Sequence, residues 1–125
     1  MSLTNMLLIA VALFVVWRLV SSRMGLVSIT SADLERRLSA GEQLLVVDVR
    51  EPMEFKQGHV KGARLVPLGT LGKGDHGLPK EKQIVLVCRS GNRSAQAFQI
   101  LKKQGYTNLL NLTGGMSGWS GPVVR

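Results

Sequence analysis

Two kinds of apolar pattern divide the chain. From Met6 to Trp17 every position is apolar, and widening the run to Leu3–Val20 admits only Thr4, Asn5 and Arg18 as polar residues. As a helix, that wider segment spans about 27 Å, close to the hydrocarbon thickness of a bilayer. No polar stripe at helical spacing interrupts Met6–Trp17, so it does not read as the half-buried helix of a soluble domain. From Val27 onward the apolar runs are short and alternate with amphipathic stretches. This alternation predicts an α/β fold with a central, mostly parallel sheet flanked by helices.

Within that second part, Val27–Ile29 reads as an edge strand. Thr30 or Ser31 is placed to cap a helix running to about Ala40, with Asp33 in its first turn, Leu34 and Leu38 on its core face, and Gly41 as its stop. Leu44–Val47 is continuously apolar, as expected for a strand covered on both faces, and Asp48 ends it. Pro52 opens a short helix to about Gln57, before Gly58. Arg64–Pro67 reads as a further strand and the glycine-rich stretch Leu68–Pro79 as a loop. Ile84–Val87 is the second strong strand. A helix from Arg93 to Gln104 follows, with Ala97, Ile100 and Leu101 on its apolar face and Gly105 at its end. Asn108–Leu112 predicts the last strand, and Gly114-Gly115 a turn into a short helix near Trp119.

The charges around the first apolar run decide how it is read. No Lys or Arg precedes it, whereas Arg18 and Arg23 follow it. Val20-Ser21-Ser22 resembles a leader cleavage site, but secretory leaders carry their positive charge ahead of the apolar segment. The pattern therefore predicts a single-pass membrane anchor through residues 3–20. Trp17 and Arg18 suit the interface, and Ser21–Gly25 reads as a short linker. The positive-inside rule places the following domain in the cytoplasm. The expected division is 1–25 for anchor and linker and 26–125 for one compact domain.

Composition narrows the classes further. Cys88 is the sole cysteine, so no intrachain disulfide can form, which suits a reducing compartment. The chain carries 16 Lys+Arg against 8 Asp+Glu. Those cations are scattered and few aromatics accompany them, which argues against nucleic acid as a partner. An anionic membrane surface or a small anionic substrate fits better.

The segment with the densest chemistry is Cys88-Arg89-Ser90-Gly91-Asn92-Arg93-Ser94, between a buried strand and a helix. Ligands of open α/β sheets collect at the carboxyl ends of strands. There the next helix aims its free N–H groups and positive dipole end at the loop, which favours a thiolate. Gly91 lets the backbone curl into an anion-binding nest, Arg89 and Arg93 add positive charge, and Ser90 and Ser94 add donors. A buried, inert cysteine before an ordinary capped helix would not call for that density of cations and hydroxyls.

This loop resembles the active-site loop of single-domain rhodaneses. Val47-Asp48-Val49-Arg50-Glu51-Pro52-Met53-Glu54-Phe55 with Gly58-His59-Val60-Lys61-Gly62-Ala63 resembles that family's first signature. Leu112-Thr113-Gly114-Gly115-Met116-Ser117-Gly118-Trp119 resembles its closing one. The likeness covers about Val27 to Arg125 and leaves out the apolar N-terminal run. It implies a sulfurtransferase in which Cys88 removes the outer sulfur of thiosulfate or a persulfide donor, holds it as a persulfide, and yields it to a thiol or cyanide. It implies binding roles for Arg89, Ser90, Gly91, Asn92, Arg93 and Ser94, and neither a metal nor an organic cofactor. A sulfur carrier in a protein relay, without thiosulfate turnover, is the alternative function, and a non-catalytic interaction module at the membrane is a further one.

Loop length bears on a neighbouring chemistry. Phosphatases of this fold place five residues between cysteine and arginine, usually with a histidine before the cysteine. Here four residues separate Cys88 from Arg93, and Val87 precedes the cysteine. The tighter cradle suits sulfur better than a tetrahedral phosphate or arsenate. Asp48, Arg50, Glu54 and His59 are expected to be structural support, since persulfide transfer needs little proton traffic. His76, beside Asp75, reads as a solvated loop residue and Trp119 as packing.

Overall fold

The computed structural model describes residues 1–23 and 25–125. The first helix, α1, spans Leu3–Arg23. It therefore runs past the expected end at Val20 and takes up Ser21–Arg23 of the expected linker, while Met24 lies outside the described residues. Helix propagation adds one hydrogen bond per residue fixed, and neither proline nor glycine occurs before Gly25, so nothing local stops the helix at Val20. Leu3–Ser21 has a mean hydropathy of 2.2 and none of it is buried, so it is long and apolar enough to cross a membrane.

The rest is an α/β fold around a five-stranded parallel sheet. Its strands are β1 (Ser28–Ile29), β2 (Leu44–Asp48), β4 (Arg64–Leu65), β5 (Gln83–Val87) and β6 (Leu109–Leu112), in the order β1-β6-β5-β2-β4. The two continuously apolar runs, β2 and β5, lie side by side near the centre, Leu44 opposite Gln83 through Asp48 opposite Val87. Each is covered on both faces, hence the lack of alternation in its sequence. One face buries Leu86, Ala97, Phe98 and Leu101 with Leu71, under α4 (Leu68–Gly72) and α5 (Asn92–Lys103). The opposite face buries Val46, Val85, Val87 and Leu112 with Leu34 of α2 (Ser31–Ser39), and Trp119 packs at its margin. Thr30 caps α2, its Oγ1 accepting from the Asp33 N–H at 3.1 Å.

Two features differ from the sequence expectation. The glycine-rich stretch was expected to be a loop throughout, but Leu68–Gly72 forms α4. Burial of Leu71 and a bond from Gln104 Nε2 to the Leu71 carbonyl, 3.1 Å, outweigh the poor helix propensity of its glycines. A second, two-stranded antiparallel sheet also forms, pairing β3 (His59–Val60) with β7 (Val123–Val124). Both strands are too short to leave a period in the sequence. Between them, α3 (Pro52–Gln57) follows β2, and a 3-10 turn (Gly115–Gly118) follows β6. Both meet at the carboxyl end of the large sheet.

Candidate active site

Cys88 directly follows β5, and α5 begins four residues later, so the cysteine stands at the mouth of a strand–loop–helix unit. Gly91 makes the intervening turn with φ of 106°, a left-handed conformation that a side chain would strain. This turn brings the Gly91 N–H to 3.0 Å from Cys88 Sγ, and the first turn of α5 sets Ser94 Oγ 3.3 Å from the same sulfur. Cys88 is 1% exposed, so its sulfur forms the floor of the cradle. Burial pushes the thiol up. The Ser94 hydroxyl and the backbone N–H groups of Ser94, Gly91 and Ser90 pull it down and prevail, leaving it below its usual value.

The cradle is fixed from behind by the turn after β6. The Met116 N–H donates to the Cys88 carbonyl at 2.8 Å and the Ser117 N–H to the Arg89 carbonyl at 2.9 Å. This approach leaves no space at Gly115, where an added Cβ would stand 2.3 Å from the Cys88 oxygen. The Gly114-Gly115 pair is therefore a backbone brace for the cysteine loop. Its bonds to Cys88 and Arg89 are long-range, and the sequence signals only the turn.

The other anticipated residues fall into four groups. Arg89, Ser90 and Asn92 are exposed at the rim. Arg93 is half-buried and turned to Glu54, with Nη1 2.6 Å from Oε1 and Nη2 2.9 Å from Oε2. Glu54 Oε1 also accepts from the Glu51 N–H at 3.2 Å, which ties the start of α3 to the start of α5. The Arg93 contact above all holds the Glu54 carboxyl down, to about 2, against the opposing effect of burial. Asp48 and Arg50 form a buried pair, Nη2 to Oδ2 at 2.8 Å, and Arg50 Nη2 also donates to the Gly58 carbonyl at 2.7 Å. His59 donates from Nδ1 to the Phe55 carbonyl at 2.8 Å, its ring stacked on Phe55 with centroids 3.6 Å apart.

A cavity of about 350 Å³ opens beside the loop, lined by Arg50, Glu54, Gln57, Arg89, Ser117 and Val123 among others. Gln57 and Val123 were not anticipated. Val123 reaches the cavity only because β7 pairs with β3, a contact no local pattern announces. His76 is remote from Cys88. Its Nε2 donates to Gln104 Oε1 at 2.7 Å while Nδ1 accepts from the Leu78 N–H at 3.2 Å, fastening the glycine-rich segment to the end of α5. Among the described residues no group of three or more His, Cys, Asp or Glu side chains could hold a metal. What the site offers is one buried thiol, held below its usual value by the donors that line its cradle.

The fold and site define a parallel α/β protein with one cysteine in an anion cradle braced by a Gly-Gly turn, and the comparisons assign the family. The model of the rhodanese-like domain matches residues 30–122, and the chain belongs to the rhodanese family. A sulfurtransferase of Allochromatium vinosum is 40% identical over 92 residues, covering 74% of this chain and 86% of that protein. The probable adenylyltransferase/sulfurtransferase MoeZ of Mycobacterium tuberculosis is 37% identical over 95 residues, covering 74% of this chain. The match spans only 24% of MoeZ, so it represents one module of a longer protein. The crystal structure of a rhodanese-related protein from Thermoplasma volcanium superposes with a TM-score of 0.70 at 33% identity, covering 78% of this chain and 97% of that one. Family and fold thus point to rhodanese-like sulfur transfer.

Proposed function

We propose that the chain is a membrane-anchored sulfurtransferase that carries sulfane sulfur on Cys88. The observation that supports this best is the convergence of the Gly91 N–H and the Ser94 hydroxyl on Cys88 Sγ at the head of α5. The thiolate attacks the outer sulfur of thiosulfate. The S–S bond of the donor breaks, sulfite leaves with the electron pair, and a Cys88 persulfide remains. The charged outer sulfur rests against the N–H groups of residues 89–94, which stabilise it as an oxyanion hole stabilises oxygen. An acceptor thiolate then attacks that sulfur and leaves as a persulfide, or cyanide leaves as thiocyanate, and the Cys88 thiolate is restored. Arg89, exposed at the rim, attracts the anionic donor. Arg93, held by Glu54, supplies fixed positive charge beside the sulfur, while Ser90 and Asn92 complete the donor lining.

Leu3–Ser21 forms the anchor, and Arg18 with the domain beyond it lies on the cytoplasmic side. Tethering concentrates the domain near partners in the same membrane.

Intact-mass spectrometry of the full chain after thiosulfate treatment, alongside Cys88→Ala, tests the chemistry. A gain of one sulfur that cyanide reverses, absent in the variant, is the expected result. No adduct with thiosulfate and none with a persulfide donor would overturn it. Loading by a donor protein with negligible thiosulfate:cyanide turnover would instead identify a sulfur carrier in a relay.

A further inference from the structure

The last turns of α1 lie beside α5, and between them is a cavity of about 510 Å³. Trp17, Arg18 and Ser21 line it from α1, and Gln96, Gln99, Ile100 and Lys103 from α5. With Leu3–Ser21 in a bilayer, this cavity sits where hydrocarbon gives way to headgroups, the level that Trp and Arg favour. The headgroup layer is roughly 5–8 Å deep on each side. A helix packed directly against α1 at that level lies within reach of it, since a helix with its side chains is only about 10–12 Å across.

The charge of α5 is one-sided, although Glu81 stands near Tyr106 at the edge of the region. α5 carries Arg93, Lys102 and Lys103 and no carboxylate. Lys102 reaches back toward the chain where it leaves α1, its Nζ 2.9 Å from where a Cβ on Gly25 would stand. Lys80 extends over the Tyr106 ring, Nζ 5.4 Å from its centroid, beside a second cavity shared by Gly25, Lys102 and Tyr106. The ion pairs of the described residues involve Arg36, Arg37, Arg50 and Arg93, and leave out Arg18, Lys80, Lys102 and Lys103. The sulfur chemistry uses none of these four cations.

We infer that the cleft between α1 and α5 is a binding site for the headgroup of an anionic phospholipid, with Arg18 and Lys103 as its cations and Lys102 and Lys80 extending the basic face along the membrane. This rests on the membrane-spanning reading of α1. Trp17 and Ile100 meet the glycerol and upper acyl region, and the exposed amide of Gln96 supplies a neutral donor. Docking of this face holds α5 against the membrane, so the orientation of the Cys88 loop at its far end follows from the lipid contact rather than from free rotation on a tether. Each juxtamembrane cation shifts the docked-to-undocked ratio about fivefold at moderate salt.

The test uses the full chain carrying Cys88→Ala and Thr107→Cys, labelled with a fluorophore at the new cysteine, which is exposed beside the basic face and outside the cleft. It is reconstituted into nanodiscs of phosphatidylcholine alone or mixed with phosphatidylglycerol, each containing a headgroup-spin-labelled lipid as quencher. Stronger quenching in the anionic discs is expected, reduced by high salt, partly lost in Lys102→Gln/Lys103→Gln and abolished in Lys102→Glu/Lys103→Glu. Equal quenching in both compositions, with the chain resisting extraction by alkaline carbonate from liposomes of the same lipids, would overturn the headgroup site and leave the anchor standing. Release by carbonate would overturn the anchor and the site together.

Discussion

Glu54 and Arg93 meet through two parallel hydrogen bonds, 2.6 and 2.9 Å long, across 39 residues of sequence. Glu54 belongs to the helix after β2 and Arg93 to the helix after β5, so the pair clamps the two neighbouring strand–helix connections at the carboxyl end of the sheet. The clamp positions the first turn of α5, whose Ser94 hydroxyl lies against the cysteine sulfur. The arginine nearest the helix start is thus held by protein as well as available to the field at the site.

The pair gives stability an acid limb. Glu54 has a folded-state value of about 2, below its ordinary one, so its contribution is complete above about pH 5 and is lost as pH falls toward 2. With both side chains partly solvated, the contribution is about 2 kcal/mol. Urea denaturation at stepped pH should show this loss, and Glu54→Gln should flatten the acid limb. The variant should also lower sulfur-transfer turnover at neutral pH, because Arg93 is freed from its fixed position.

Ser94 acts directly on the Cys88 sulfur, 3.3 Å away. Burial raises the Cys88 thiol, and the Ser94 hydroxyl is foremost among the groups that bring it below its usual value. Ser94→Ala should therefore move the Cys88 value upward. The pH profile of alkylation by iodoacetamide, which follows the thiolate, should shift to higher pH. Turnover at neutral pH should fall by up to about 100-fold, the effect of losing one preorganised donor. An unmoved alkylation profile would show that the backbone N–H groups alone set the thiol.

The strands most legible in the sequence are those the sheet buries on both faces. Leu44–Val47 and Ile84–Val87 are continuous apolar runs because helices cover each side, and both anchor the central pairing. The cysteine cradle is legible for a related reason. Its donors come from consecutive residues, so composition within a short window reveals it. Neither α4 nor the β3–β7 pair has a local signature. Leu71 makes α4 a helix by burying against the core, and Val123 meets Val60 only after the whole chain has folded. The Glu54–Arg93 clamp was hidden in the same way, since each residue looks like an ordinary helix charge until the sheet brings the two helices together.

Gly115 offers a test of the brace behind the cradle. Its φ is 54°, and a Cβ there would meet Cys88 O at 2.3 Å and Arg89 C at 2.7 Å. Both obstacles are backbone atoms of the loop that holds Cys88, so neither can rotate away as a side chain could. Gly115→Ala should cost about 3 kcal/mol or more in urea denaturation, from overpacking together with left-handed strain. Where the variant folds, the displaced Cys88 carbonyl should also slow alkylation of the thiol.

Asp48 and Arg50 pose the opposite question, whether a buried ion pair stabilises or only satisfies itself. Asp48 is wholly buried and Arg50 is 6% exposed. Arg50 donates to both carboxylate oxygens and to the Gly58 carbonyl, so one guanidinium joins the end of β2 to the chain entering β3. Removing only the cation, as in Arg50→Met, leaves a buried carboxylate with a single backbone N–H from residue 50 and should cost about 3–5 kcal/mol. Replacing both, as in Asp48→Leu/Arg50→Met, removes the desolvated charges together and should recover much of that loss. Recovery will be incomplete, because the Gly58 carbonyl still loses its guanidinium donor, at about 1–3 kcal/mol. A double variant as unstable as Arg50→Met would show that the pair is held in place chiefly for its bond to Gly58. A double variant close to the parent would show that the charges themselves contribute little net stability.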